Sequence, residues 1–161
     1  MSRPRSEPTT TMKRLIITPR HLTGIERHAE ATYPEECCGV LIGRPLADGE
    51  DGALVEQVLP ARNERAESRH NRFVISPEVV LAAHKQARAK NLEVLGYYHS
   101  HPDHPAQPSD FDREHAWPGL SYLIVSVEKG SAAAARSWRL ADDRQRFEEE
   151  AVSEPAAALA R

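Results

Sequence analysis

Short apolar runs separated by turn residues make up most of the hydrophobic pattern of the chain. Each run has the length and the β-branched or aromatic content typical of a strand. The runs are RLIIT (14–18), GVLIG (39–43), ALVEQVL (53–59), RFVI (72–75), EVLGYYHS (93–100), SYLIVSV (121–127) and AAAARSWRL (132–140). SYLIVSV is apolar at nearly every position, so we expect it to be central and buried. The segment RQRFEEEAV (144–152) fits either an edge strand or a helix.

Two segments instead carry apolar residues at helical spacing. Thr18 and Pro19 suit the N-cap and first position of a helix that we expect to continue to Thr32. Ser76-Pro77 begins a second helix, expected to run to about Asn91. The inward-facing positions are Leu22, Ile25 and Ala29 in the first helix and Val79, Val80, Ala83 and Ala87 in the second. Strands interleaved with two long helices predict a mixed α/β sandwich with flanking helices.

The length of 161 residues suits one domain, which we expect at residues 13–150. Residues 1–12 are rich in Ser, Thr, Pro and Arg, and we expect a disordered tail there. Residues 151–161 end in an Ala-rich run, and we expect a frayed tail. The segment RNERAESRHN (62–71) is almost entirely polar and is a candidate border of the functional site.

The charge balance narrows the classes of partner. The chain has 21 basic and 24 acidic residues, a net charge of -3, which gives no electrostatic case for nucleic-acid binding. No apolar run approaches the ~20 residues of a membrane span, and the N-terminal residues lack the apolar region of a secretory signal. Cys37 and Cys38 are the only cysteines, which favours a reducing cytoplasm over a disulfide framework. The sequence specifies no oligomeric state.

The stretch YYHSHPDHPAQPSDFD (97–112) concentrates the candidate chemistry. His99 and His101 stand two apart at the end of a predicted strand, so their side chains share a face while Ser100 points to the other. Two imidazoles placed in this way can bind one metal cation. Paired histidines at a strand end are about as often simply solvated, and the spacing alone leaves both interpretations open.

The end of the same stretch, Ser109-x-x-Asp112, is a capping box that predicts a short helix from Asp110 to Ala116. The capping role alone explains these residues. The first turn of that helix can also direct the Asp112 carboxylate at the two histidines. Three protein ligands with an open fourth position are the layout of a catalytic zinc site.

The letters HSHPDH (99–104) also resemble the H-x-H-x-D-H pattern of metallo-β-lactamase-like hydrolases. In that alternative the candidate ligands are His99, His101, Asp103 and His104. Such sites need further His and Asp ligands downstream, and after His104 the chain has only His115.

The whole segment HSHPDHPAQPSDFD (99–112) resembles the signature H-[ST]-H-P-x6-S-x-x-D of the JAMM (MPN+) metalloproteases. That family also has a glutamate three residues before a glycine that enters an apolar strand. Glu36 stands in this relation to Gly39, and Glu35 does not. The similarity covers roughly residues 15–140, with every motif position present.

The resemblance implies a role for each motif residue. His99, His101 and Asp112 would be the ligands of one Zn²⁺ per chain, with water as the fourth ligand. Glu36 would be the general base that takes the water's proton and passes it to the leaving amine. Ser109 would donate a hydrogen bond to the oxyanion. Such an arrangement suits hydrolysis of an amide bond near neutral pH.

The resemblance also implies a cytidine-deaminase-like fold and an isopeptidase that cuts after the C-terminal Gly-Gly of a ubiquitin-like protein. Small bacterial members are similar to enzymes that act on adducts of sulfur-carrier proteins. The main alternative of another class is a non-catalytic MPN-type binding module, against which the intact motif argues. A structural zinc would need a fourth protein ligand, for which His104 is the nearest candidate in sequence.

Overall fold

The structure is a computed structural model that describes residues 13–47, 50–66 and 74–156. The described elements are, in chain order, β1 Arg14–Ile16, α1 Pro19–Thr32, β2 Cys38–Pro45, β3 Gly52–Ala61, α2 Pro77–Ala89, β4 Glu93–Pro102, α3 Asp110–His115, β5 Ser121–Glu128, β6 Ser131–Leu140 and β7 Phe147–Ser153. None of the helices among these residues is long and apolar enough to cross a membrane. The predicted tail at residues 1–12 and the last part of the one at 151–161 lie outside the described residues, whereas β7 continues past residue 150.

The two long helices begin where the sequence predicts, because a hydroxyl and a proline stand together at each start. The Thr18 hydroxyl accepts a hydrogen bond from the His21 N–H at 3.2 Å, and the Ser76 hydroxyl accepts one from the Val79 N–H at 3.3 Å. Each bond satisfies an N–H group that has no partner within the helix. The α1 prediction is confirmed at both ends, and α2 ends at Ala89, slightly before the predicted limit.

The seven strands close into a barrel in the order β1-β3-β2-β4-β5-β6-β7, with β1 parallel to both β3 and β7. The predicted α/β composition is correct, but the sheet differs from the predicted sandwich. The short strand β1 joins the two ends of the sheet, which hydrophobic patterning within single strands does not reveal. Within the barrel, β4 is antiparallel to β2 and parallel to β5.

The hydrogen bonds of the structure decide two local predictions, those for RFVI and RQRFEEEAV. The predicted strand RFVI is wrong for its described part, because Val74 and Ile75 lie outside any strand. The Val74 N–H is bound by the Asn63 side chain and its carbonyl by the Glu64 N–H, so neither group takes part in a sheet. The first half of RFVI and the end of the polar segment lie outside the described residues. For RQRFEEEAV, the strand alternative is confirmed from Phe147 onwards, as β7. This strand pairs with β6 on one side and β1 on the other, so it is not an edge strand.

Opposite faces of β2 and β4 contact different helices. Leu41 and Tyr98 belong to the apolar cluster that includes Ile25 and Ala29 of α1. Their neighbours Val40, Ile42 and Tyr97 pack with Ala83 and Ala87 of α2. The alternation of side chains along a strand explains this division. β4 is therefore held from both sides, and its end is a rigid position from which to present side chains.

Tyr98 is fully buried and its ring lies directly over Gly39 of β2. Its hydroxyl is 2.8 Å from Nδ1 of His28 on α1. A Cβ at position 39 would overlap the Tyr98 ring, so only glycine leaves room for this contact. The ring thus ties α1, β2 and β4 together.

We therefore predict that Gly39→Ala lowers the free energy of unfolding by ~1–3 kcal/mol, because the Tyr98 ring must move. Gly24→Ala is the matched control, since a Cβ there meets nothing within 4 Å. Alanine in an exposed helix position is favoured over glycine by up to ~1 kcal/mol, so this variant should be unchanged or more stable. Urea unfolding of both variants makes the comparison. Equal stability of the two variants would contradict the packing argument.

Candidate metal centre

The end of β4 presents alternate side chains to opposite sides. His99 and His101 point the same way, with ring centroids 5.0 Å apart. Ser100 points to the other side, where its hydroxyl accepts the Cys37 N–H at 2.8 Å. The Ser100 N–H in turn donates to the Cys37 carbonyl at 3.2 Å. The strand that carries the two histidines therefore also fixes the chain next to Glu36.

Asp112 reaches the two histidines from the first turn of α3. The Ser109 hydroxyl accepts the Asp112 N–H at 3.1 Å, and Asp112 Oδ2 accepts the Ser109 N–H at 2.9 Å. These reciprocal bonds are the predicted capping box, which is confirmed. The box fixes the backbone of the turn and the rotamer of Asp112 at once, so the carboxylate has a defined direction.

Three ligand atoms from these residues form a nearly equilateral triangle. His99 Nε2 lies 3.2 Å from His101 Nε2 and 3.3 Å from Asp112 Oδ2, and His101 Nε2 lies 3.2 Å from the same oxygen. Ligand atoms ~2.0–2.1 Å from a tetrahedral zinc ion are about 3.3 Å apart, so the triangle has the dimensions of one face of such a site. The residues present thus fit zinc in both chemistry and spacing.

The orientation of His101 is fixed by its second ring nitrogen. Nδ1 lies 2.8 Å from the Pro105 carbonyl oxygen. A carbonyl only accepts hydrogen bonds, so Nδ1 carries the proton, and in the neutral ring Nε2 has its lone pair directed at the triangle. Metal-bound histidines usually have such a partner on the other nitrogen.

Asp112 is ionised despite its surroundings. Its side chain is 8% exposed, and burial alone would raise its pKa. Its contacts with His99 and His101, together with the hydrogen bond from the Ser109 N–H, outweigh burial and hold the pKa of Asp112 well below its usual range. A carboxylate in this state is ready to bind a cation over the whole physiological pH range.

Glu36 lies beside the triangle, in the segment just before β2. Its side chain is buried, and it forms with His99 and His101 a group whose ligand atoms lie within 4.8 Å of one another. The Glu36 backbone carbonyl accepts a hydrogen bond from Asn63 Nδ2 at 3.2 Å. The structure therefore brings together four of the five predicted site residues, and the capping box adds Ser109 at the rim.

A cavity of about 340 Å³ adjoins His99 and Asp112. It is mainly apolar, and Phe111, Trp117 and Val74 contribute to its walls. Trp117 is 64% exposed, although large apolar side chains of this kind are normally covered. Sequence reasoning missed this cavity, because its residues come from separate segments and share no periodic pattern.

Two further polar residues of the stretch 97–112, Asp103 and His104, lie outside the triangle. Asp103 accepts the Tyr33 hydroxyl at 2.6 Å and the Lys129 N–H at 2.8 Å, so its carboxylate anchors the loop after β4. His104 is exposed on that loop. Among the described residues, neither belongs to the group that could hold a metal. This geometry argues against the metallo-β-lactamase-like ligand set.

The two cysteines are buried free thiols. Burial raises the pKa of Cys37 to about 11 and that of Cys38 to about 12. Both are therefore protonated at neutral pH and unsuited to nucleophilic or metal chemistry.

The sequence is similar to a known protein family and to proteins from other organisms. A family model described as prokaryotic homologs of the JAB domain matches residues 18–141. A desampylase from Haloferax volcanii is 37% identical over 96 residues, which are 59% of this chain and 65% of the relative. A probable TtuB-protein conjugate cleaving protease from Thermus thermophilus is 30% identical over 115 residues, covering 71% of this chain and 72% of the relative. The chain thus spans just under two thirds of the Haloferax relative.

The fold also matches a solved structure. The solution structure of a protein from Salinibacter ruber superposes with a TM-score of 0.69 at 40% sequence identity. The match covers 89% of this chain and 94% of the other. The two chains are therefore similar in both sequence and fold over nearly their whole length.

Proposed function

The chain belongs to the family of prokaryotic homologs of the JAB domain, and from that membership we propose that it is a zinc-dependent isopeptidase. The resemblance to the JAMM metalloproteases predicted from the sequence is thereby confirmed at the level of the family. The observation that carries the proposal is the triangle of His99, His101 and Asp112 ligand atoms beside a buried glutamate. The expected cytidine-deaminase-like architecture is part of the same proposal.

His99, His101 and Asp112 would hold one Zn²⁺. When bound there, the ion supplies Lewis acidity, which polarises the scissile carbonyl and lowers the pKa of water towards ~7. Asp103 and His104 are left out of this set because the first is bound elsewhere and the second is exposed.

Glu36 would act as the general base. It takes a proton from the attacking water and delivers it to the amine that leaves. A carboxylate suits both steps if it lies near the water and if its orientation is set by contacts within the protein. The burial of Glu36 and its distance to the two histidines support this role.

Ser109 would donate a hydrogen bond to the oxyanion of the tetrahedral intermediate. The capping bond uses only an acceptor lone pair of the hydroxyl, because the Asp112 N–H is the donor. A hydroxyl has one proton and two acceptor positions, so the O–H remains able to donate. The cap and the oxyanion role are therefore compatible in one side chain.

For the substrate, we infer an adduct joined after the C-terminal Gly-Gly of a ubiquitin-like protein. Within that class, we propose a sulfur-carrier protein. The names of the Haloferax and Thermus relatives, a desampylase and a protein-conjugate cleaving protease, support cleavage of protein adducts. The apolar cavity beside His99 and Asp112 offers burial to side chains of such a partner. Two buried free cysteines are consistent with a reducing compartment, and we include a cytoplasmic location in the proposal.

The proposed function predicts the metal content of the protein. Purified wild-type protein reconstituted with zinc should hold about one ion per chain, because three protein ligands suffice for a catalytic site. Asp112→Ala should lose most of this zinc, since the triangle loses a corner. His104→Ala is the matched control and should retain it. Elemental analysis after dialysis measures both. Loss of zinc in His104→Ala would favour a structural, four-ligand site instead.

The next prediction separates chemistry from metal binding. Glu36→Gln should keep the fold and the zinc content but lower kcat by ~10²-fold or more, because an amide cannot take a proton from water. Ser109→Ala should also keep zinc and lower kcat by ~10²-fold if the hydroxyl stabilises the oxyanion. Loss of the cap should cost Ser109→Ala a further ~1 kcal/mol of stability. That stability loss with an unchanged kcat would restrict Ser109 to the cap.

The substrate prediction compares two kinds of adduct. Zinc-loaded enzyme should cleave adducts of a ubiquitin-like sulfur carrier and be slower or inactive on lysine-linked ubiquitin chains. Replacing the last glycine of the carrier with valine should abolish cleavage, because a branched side chain clashes beside the scissile bond. Rates for all three substrates are measured by gel or mass spectrometry. Equal rates on ubiquitin chains would refute the carrier preference, and inactivity on every adduct with zinc bound would favour a binding module.

A further inference from the structure

We propose that Asn63 is a positioning residue that holds Glu36 in place and ties it to the wall of the adjoining cavity. The inference rests on the proposed function, in which Glu36 is the general base. It concerns a residue outside the metal-binding motif, in the polar segment that follows β3.

Within the described part of the chain, the Asn63 carboxamide forms hydrogen bonds to three separate places on the backbone. Its Nδ2 donates to the Glu36 carbonyl at 3.2 Å. Its Oδ1 accepts the N–H of Arg65 and the N–H of Val74, each at 3.1 Å. One planar group therefore joins the chain before β2, the start of the polar segment and the chain before α2.

The bond from Asn63 helps to hold the backbone of Glu36 in place. Glu36 lies two residues before the start of β2, outside the strand itself. On its C-terminal side, Cys37 is fixed to Ser100 by the two bonds described above. Asn63 adds a hydrogen bond to the carbonyl of Glu36 itself. A displacement of ~1 Å of a catalytic group can cost ~10²-fold in rate, so this bond has a direct consequence for catalysis.

The same carboxamide also orders the cavity wall. Val74 lines the cavity, and the Arg65 guanidinium lies 5.2 Å from the centre of the Phe111 ring, another lining residue. The backbone N–H groups of Arg65 and Val74 both donate to Asn63 Oδ1. The position of the base and the position of the substrate wall are thus linked through one side chain.

The chemistry of the side chain distinguishes positioning from a simple turn. An aspartate would serve a turn equally well, because its oxygen also accepts the two N–H groups. Only the amide can accept at Arg65 and Val74 and at the same time donate to the Glu36 carbonyl. Among these three hydrogen bonds, the one to the Glu36 carbonyl is therefore the one that needs asparagine rather than aspartate.

The test uses the full-length zinc-loaded protein with Asn63→Asp and Asn63→Ala. Asn63→Asp removes the bond to Glu36 and keeps the acceptors, so kcat should fall by ~10- to ~10²-fold with little change in KM. Asn63→Ala should lower kcat similarly and also raise KM, because the cavity wall loosens. Gln86→Ala is the matched control, since it removes a hydrogen bond of 3.3 Å that the Gln86 side-chain amide donates to Gln57 at an exposed position.

Nuclear magnetic resonance gives a readout that is independent of activity. The backbone carbonyl and side-chain carboxyl ¹³C signals of Glu36 should shift in both Asn63 variants but not in the control. The Arg65 and Val74 amides should keep their exchange protection in Asn63→Asp and lose it in Asn63→Ala.

The proposal is overturned if the Glu36 signals do not move in Asn63→Asp, or if its kcat equals that of Gln86→Ala. Wild-type protein that cleaves no adduct would refute the proposed function instead. In that case the Glu36 signals alone decide whether Asn63 positions this residue.

Discussion

The alternation of side chains along the end of β4 is the constraint on which both halves of the site depend. His99 and His101 face the site because they stand two residues apart, and Ser100 between them must face the other way. The buried Ser100 hydroxyl is satisfied by the Cys37 N–H, and this bond draws the chain of Glu36 against β4. A shift of one residue in the register of β4 would remove the metal ligands and release the base at the same time.

Asp112 shows how a local helix-start motif acquires a second role through its neighbours. Its carboxylate accepts the Ser109 N–H, as a capping box requires, and the same oxygen faces both imidazoles. The cap restricts the rotamer, so little conformational entropy remains to be lost when a cation binds. A short helix of this kind has no buried residues of its own, and the reciprocal cap defines its first turn.

The barrel supplies the rigidity that these contacts need. β4 lies between β2 and β5, with α1 against one face of the strand and α2 against the other. Tyr98, next to His99, fills the space above Gly39 and reaches His28 on α1. Residues that carry chemistry are thus placed at the end of a strand whose preceding residues are close-packed. The rim of the site, by contrast, includes the loop segments that carry Asn63 and Val74, and Val74 contributes to the cavity wall.

The sequence by itself determined the motif, most of the element types and the helix starts. HSHP, S-x-x-D and Glu36 before Gly39 are local patterns, and capping depends only on residues three or four apart. Tertiary structure alone decided the closure of the sheet by β1, the loss of the predicted strand at Val74 and the apolar cavity. It also decided that Asp103 binds Tyr33 and that Asn63 binds Glu36. These contacts join residues that are distant along the chain, and their free energy depends on a spatial arrangement that hydrophobic periodicity within one segment does not encode.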